Sequence, residues 1–174
     1  MNEYHFYDTS SLLKRASNLF DIEENIVIST ITLQELEKIK SSADKEPSIR
    51  AATRQVLNKL HEHPEDYEVA IYNNEDEILL PIKQMMLPIN NDTKILASAI
   101  MYDKKYHPDE TVFYTNDISL QVIANLFFGE DSVRWIPDEE TDEYLGYKEI
   151  VMDEDEMAQF YSQPHFNPYD LYIN

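Results

Sequence analysis

Four acidic residues stand where this chain could do chemistry: Asp8, Glu35, Asp92 and Asp117. Each lies at the mouth of an expected helix. Asp8 follows the apolar run His5-Phe6-Tyr7, and Asp117 closes Val112-Phe113-Tyr114-Thr115-Asn116. Carboxylates crowded at one place repel each other unless a cation compensates. Hard divalent cations such as Mg²⁺ and Mn²⁺ take oxygen ligands from carboxylates and water. Such an ion lowers the pKa of a bound water and stabilises charge developing at phosphorus. The chemistry implied is phosphodiester hydrolysis with no protein nucleophile. Each acid taken alone has a plainer role, because Asp and Glu favour the first turn of a helix. Glu35 is the clearest case, with Thr32 as the expected N-cap of a capping box that Glu35 completes.

Other chemistries are closed off by composition. The chain has no cysteine, which removes disulfides, thiolate metal sites and thiol nucleophiles. Its two glycines, Gly129 and Gly146, are isolated, so neither a P-loop nor a dinucleotide fingerprint can be written. The five histidines form no Ser-His-Asp set, and no aromatic RNA-binding signature is present. Net charge is −20, from 14 basic and 34 acidic residues. Residues 1–105 carry −6 of it and residues 106–174 carry −14. That balance opposes broad non-specific nucleic-acid binding, which runs on phosphate neutralisation. The amino terminus lacks a signal-peptide pattern and no apolar run approaches a membrane span, so a cytoplasmic protein with no membrane partner is expected.

The acids need elements to carry them. Alternating short apolar runs and helical periods predict an α/β fold with a central parallel sheet covered on both faces. Expected strands are Tyr4–Tyr7, Ile26–Ile28, Val69–Tyr72, the run before Asp117, and Val133–Ile136. Expected helices start near Ser10, Thr32, Pro47, Asn90 and Ile118. In the third, Ile49, Ala52, Val56, Leu57 and Leu60 make an apolar stripe. Asn73–Leu87 reads as an irregular connection containing Pro81. With strand one central and beside the strand carrying Asp117, strand ends that carry acids share one sheet edge, where open α/β sheets place ligands.

The ordered set Asp8-Thr9-Ser10, Leu33-Gln34-Glu35-Leu36, Asn91-Asp92 and Thr115-Asn116-Asp117 resembles the PIN-domain nucleases over residues 4 to about 136. The resemblance implies a three-layer α/β/α PIN fold with about five strands. It implies that Asp8, Glu35, Asp92 and Asp117 are the catalytic, metal-binding quartet for Mg²⁺ or Mn²⁺. Thr9, Ser10, Thr115 and Asn116 would orient them. The activity implied is endonucleolytic cleavage of single-stranded RNA. Within the family, Tyr144-Leu145-Gly146-Tyr147-Lys148-Glu149 resembles the segment leaving a PIN domain that precedes a PhoH-type ATPase. No Walker motif follows, so an ATPase partner domain or protein is one expectation and a homodimer another.

Domain limits are read as 1–150 for the PIN-like nuclease domain and 151–174 for an acidic, then aromatic, tail. RNA phosphates are expected on Arg50, Arg54 and Lys94, with Lys38, Lys40 and Lys45 completing a basic path beside the Glu35 helix. Competing readings are a non-catalytic PIN module, an α/β enzyme with an acid nucleophile, and an acidic nucleic-acid mimic. The phosphatase pattern wants a second Asp two residues after Asp8, and Ser10 stands there.

Overall fold

The structure is a computed structural model and describes residues 2–138. Residues 2–136 fall within one compact unit, Met1–Ile136. The proposed boundary at 150, the tail and the Tyr144–Glu149 segment lie outside the described residues. Five parallel strands form one sheet: β1 (Tyr4–Tyr7), β2 (Ile26–Ser29), β3 (Tyr67–Ala70), β4 (Thr111–Tyr114) and β5 (Val133–Arg134). Their order is β3-β2-β1-β4-β5. The chain therefore builds outward from β1 in one direction, then returns and builds outward in the other. Such a reversal opens a crevice beyond the carboxyl ends of the two strands flanking it, here β1 and β4. Tyr7 pairs with Tyr114 at that end, which fixes the register that brings Asp8 close to Thr115.

Strand side chains alternate between faces, and two separate cores follow. On one face Phe6, Val27 and Phe113 pack against α6 (Asn91–Tyr106) and α7 (Ile118–Ala124), through Ile95, Leu96, Ala99 and Leu120. On the other, Tyr7, Ile28 and Tyr114 meet α1 (Thr9–Lys14), α2 (Thr30–Lys40) and α3 (Pro47–Glu62), through Leu12, Leu36, Val56 and Leu60. Central strands buried on both faces are why β1, β2 and β4 read as near-continuous apolar runs. Truncating a fully buried ring such as Phe6 or Phe113 costs about 3–5 kcal/mol.

Two expectations are corrected. The Asn73–Leu87 connection contains two short helices, α4 (Glu75–Ile78) and α5 (Leu80–Gln84). Three acids in the first turn suit α4 and Pro81 suits the start of α5. Ile78, Leu79 and Ile82 from this stretch are core residues. The capping box at Thr32 does not form. Ser29, the last residue of β2, caps α2 by accepting from the Ile31 amide at 3.1 Å, and the helix starts earlier. Thr32 sits inside the helix, so Glu35 is not spent on a cap.

Candidate active site

Asp8 caps α1 and is almost wholly buried, at 3% exposure. Its Oδ1 accepts from the Ser11 amide, the Ser11 hydroxyl and the Ser10 hydroxyl, each at 2.9 Å. Burial raises its carboxyl above the usual range, against hydrogen bonds from Thr115, Ser11 and Ser10. Ser10 is held in turn, since the Asn116 amide donates to its hydroxyl at 3.0 Å. Asp117 caps α7, its Oδ1 accepting from the Ser119 amide at 2.9 Å. Its own amide donates to Thr115 Oγ1 at 3.1 Å, and Thr115 is fully buried. Asn116 clamps the backbone of Ile136 at two points, donating to its carbonyl at 2.8 Å and accepting from its amide at 3.0 Å.

Glu35 reaches across from α2. It accepts from the Thr9 hydroxyl through Oε1, and from Asn91 Nδ2 at 3.1 Å through Oε2. Asp92, in the first turn of α6, accepts no hydrogen bond among the described residues and is mostly exposed. Its carboxyl is nevertheless raised. Desolvation is the first cause, followed by the charges of Asp117, Asp8 and Glu35. All four acids line one cavity of about 480 Å³, together with Thr9, Ser10, Asn91, Lys38 and Lys45. None of the four is in an ion pair among the described residues.

The profile of the PIN domain family matches residues 6–127, a stretch that contains all four acids. The chain belongs to the PIN-domain family. PIN domains are in general nucleases that use divalent metals. No curated protein matched the chain significantly. No helix among the described residues is long and apolar enough to cross a membrane.

The donor set of this PIN domain suits a hard cation: four carboxylates and no soft ligand. Its spacing is looser than a closed coordination sphere. Among the described residues no three acidic or imidazole groups are arranged, as they stand, to grip one ion. Hydrogen bonds explain part of this, because Oδ1 of Asp8, Oδ1 of Asp117 and both oxygens of Glu35 are turned to donors of the chain itself. Among the described residues, both oxygens of Asp92 and Oδ2 of Asp117 accept no hydrogen bond.

Arg50, Arg54 and Lys94 do not line the cavity. Arg50 Nε donates to the Lys45 carbonyl at 3.3 Å, Arg54 is exposed, and Lys94 lies 3.6 Å from Glu75 and over the Tyr72 ring. The basic side chains that do line it are Lys38 and Lys45. Three lining features were missed from sequence. Asn91 was read only as part of a helix start, Leu13 and Ile49 only as apolar helix positions, and Ile39 not at all. The signal for α2 was present in its spacing: Glu35, Lys38 and Ile39 stand at i, i+3 and i+4, one helix face.

Proposed function

We propose that this PIN domain is a metal-dependent endoribonuclease that hydrolyses phosphodiester bonds of single-stranded RNA. The observation that carries the reading is the one cavity that gathers Asp8, Glu35, Asp92 and Asp117, none of them in an ion pair among the described residues; the Asp92 carboxyl there is raised, first by desolvation and then by the charges of the other three. Asp8, Glu35, Asp92 and Asp117 would hold Mg²⁺ or Mn²⁺. A bound divalent ion supplies an activated water and stabilisation of charge at the scissile phosphate. Ser10, Ser11 and Thr115 fix Asp8, and Thr9 and Asn91 fix Glu35, so the reacting groups lose little freedom on binding. The test is cleavage of a labelled single-stranded RNA with Mg²⁺ or Mn²⁺, by wild type and by Asp8→Asn. Equal cleavage by both would sink the reading.

A non-catalytic PIN module is the second reading, favoured by the loose spacing of the acids. Absence of cleavage with either metal, in protein that melts cooperatively, would select it. A PhoH-type ATPase partner rests on Tyr144–Glu149 alone, and a homodimer and a cytoplasmic setting rest on the sequence. Light scattering and co-purification test those three.

A further inference from the structure

The cavity holds more than the acids need. It is also lined by Leu13 of α1, Ile39 of α2 and Ile49 of α3, and by Lys38 and Lys45. The three aliphatic side chains are half-buried and both lysines are exposed. Neither lysine is in an ion pair among the described residues, although acids outnumber basic residues 34 to 14 over the whole chain. On α2, Glu35, Lys38 and Ile39 share one face, with Ile39 about 6 Å further along the axis than Glu35 at 1.5 Å per residue. The loop after α2 is held in shape. The Asp44 amide donates to Ser42 Oγ at 3.3 Å, and Arg50 Nε donates to the Lys45 carbonyl.

The set of three aliphatic side chains and two ammonium groups goes beyond what an inorganic phosphate uses, since the ammonium groups alone would hold that ion. It matches a ligand with a flat apolar body and anionic linkages on either side. We propose that Leu13, Ile39, Ile49, Lys38 and Lys45 form a nucleotide subsite that takes one unpaired nucleotide next to the scissile phosphate. The base lies against the three aliphatic side chains and its flanking phosphates sit on the two lysines. This rests on the nuclease reading for its placement beside a reacting phosphate, and on the cavity alone for its chemistry. Bases in a duplex are stacked and paired, and only a splayed, single-stranded nucleotide presents a base that can enter such a cavity. The aliphatic lining gives contact without hydrogen-bond readout, so the identity of the base matters little. Arg50 acts here as a positioning residue for Lys45 and not as a phosphate ligand.

The experiment uses the full chain in an Asp92→Asn background, which stops turnover and relieves repulsion. Binding of a fluorescein-labelled eight-nucleotide oligouridylate is read by anisotropy across salt concentrations. Lys38→Ala with Lys45→Ala weakens binding about tenfold and reduces the slope of log affinity against log salt by about 1.4, two phosphates at about 0.7 each. Ile49→Asn weakens it by about tenfold with the slope unchanged, the size of one lost base contact. A fluorescein-labelled duplex of oligouridylate with oligoadenylate binds no better than the lysine variant. The lysine pair is exposed, so that variant folds like its parent, and it decides the matter if Ile49→Asn does not. Unchanged affinity and slope in the lysine variant, or preference for the duplex, overturns the subsite. If wild type fails to cleave RNA with Mn²⁺ while these binding effects appear, the nuclease reading falls and the subsite stands. If wild type cleaves and the variants bind like their parent, the subsite falls and the nuclease reading stands.

Discussion

Two acids in this molecule, Glu23 and Asp92, are both raised first by desolvation, and they part company at the next influence. Around Glu23, the charges of His5 and Arg134 and a hydrogen bond from Tyr114 favour the ionised form, with Glu3 opposing. Arg15 sits 2.9 Å away, and the Tyr7 hydroxyl donates to the same carboxylate. Around Asp92, Asp117, Asp8 and Glu35 all oppose ionisation. One carboxylate is answered by its own chain. The other is surrounded by its own sign. The comparison separates an acid that ties α1 and its following loop to β1 and β4 from acids that no basic group among the described residues answers.

The largest effect that sharpens this contrast is on activity. Asp92→Asn lowers the rate of RNA cleavage by at least about 100-fold, the scale of losing one electrostatic group at the reacting centre. Glu23→Ala leaves cleavage by the folded fraction nearly intact, since Glu23 does not line the cavity. Single-turnover rates on a labelled RNA check both. The reverse asymmetry holds for stability. Glu23→Ala removes the carboxylate that Arg15 and the hydroxyls of Tyr7 and Tyr114 share, and it costs about 1–2 kcal/mol in urea unfolding. Asp92→Asn in metal-free buffer is neutral or stabilising. A destabilised Asp92→Asn would erase the distinction.

Third in size is the response to metal. Millimolar Mn²⁺ raises the melting temperature of wild type by about 5 °C, by linkage to the folded state. That shift survives in Glu23→Ala and largely vanishes in Asp92→Asn. Differential scanning fluorimetry with and without EDTA reads it, and a flat wild-type response would remove the metal from the site.

How much of this was legible in the sequence follows from the range of the interactions involved. Asp8 and Asp117 were legible because each ends an apolar strand and begins a helix, both local signals. The central place of β1 followed from the same alternation. The Thr32–Glu35 capping box was misread because Ser29 ends β2 and caps α2 at once, an overlap that shifts the helix start away from Thr32. The helices α4 and α5 are four and five residues long, too short to carry a helical period. The lysines of the cavity could not be ranked over Arg50, Arg54 and Lys94, because the bend between α2 and α3 decides which cations face Glu35. The Glu23 cluster was invisible, since it joins residues up to 91 positions apart in sequence.

The smallest effect tests the answered acid once more, through pH. The Glu23 carboxyl is raised in the folded protein. A raised carboxyl contributes stability that is complete below its unfolded value of about 4.3 and is lost as pH rises through the folded value. Wild type should therefore gain stability relative to Glu23→Gln as pH is lowered from about 7 to about 4. Parallel urea titrations at several pH values measure the gap. A gap that widens upward in pH would contradict the burial assigned to this side chain.

The strand order has a consequence in time. The quartet is incomplete until β4 is laid beside β1, yet more than one hundred residues separate Asp8 from Asp117. At a synthesis rate of about 5–20 residues per second, Asp8 waits roughly 5–20 s for its partner strand to be made. Until then β1 has only β2 and β3 to join, and Asp8 sits at the rim of a half-built sheet. On the nuclease reading, a chain still being translated carries no assembled cutting site.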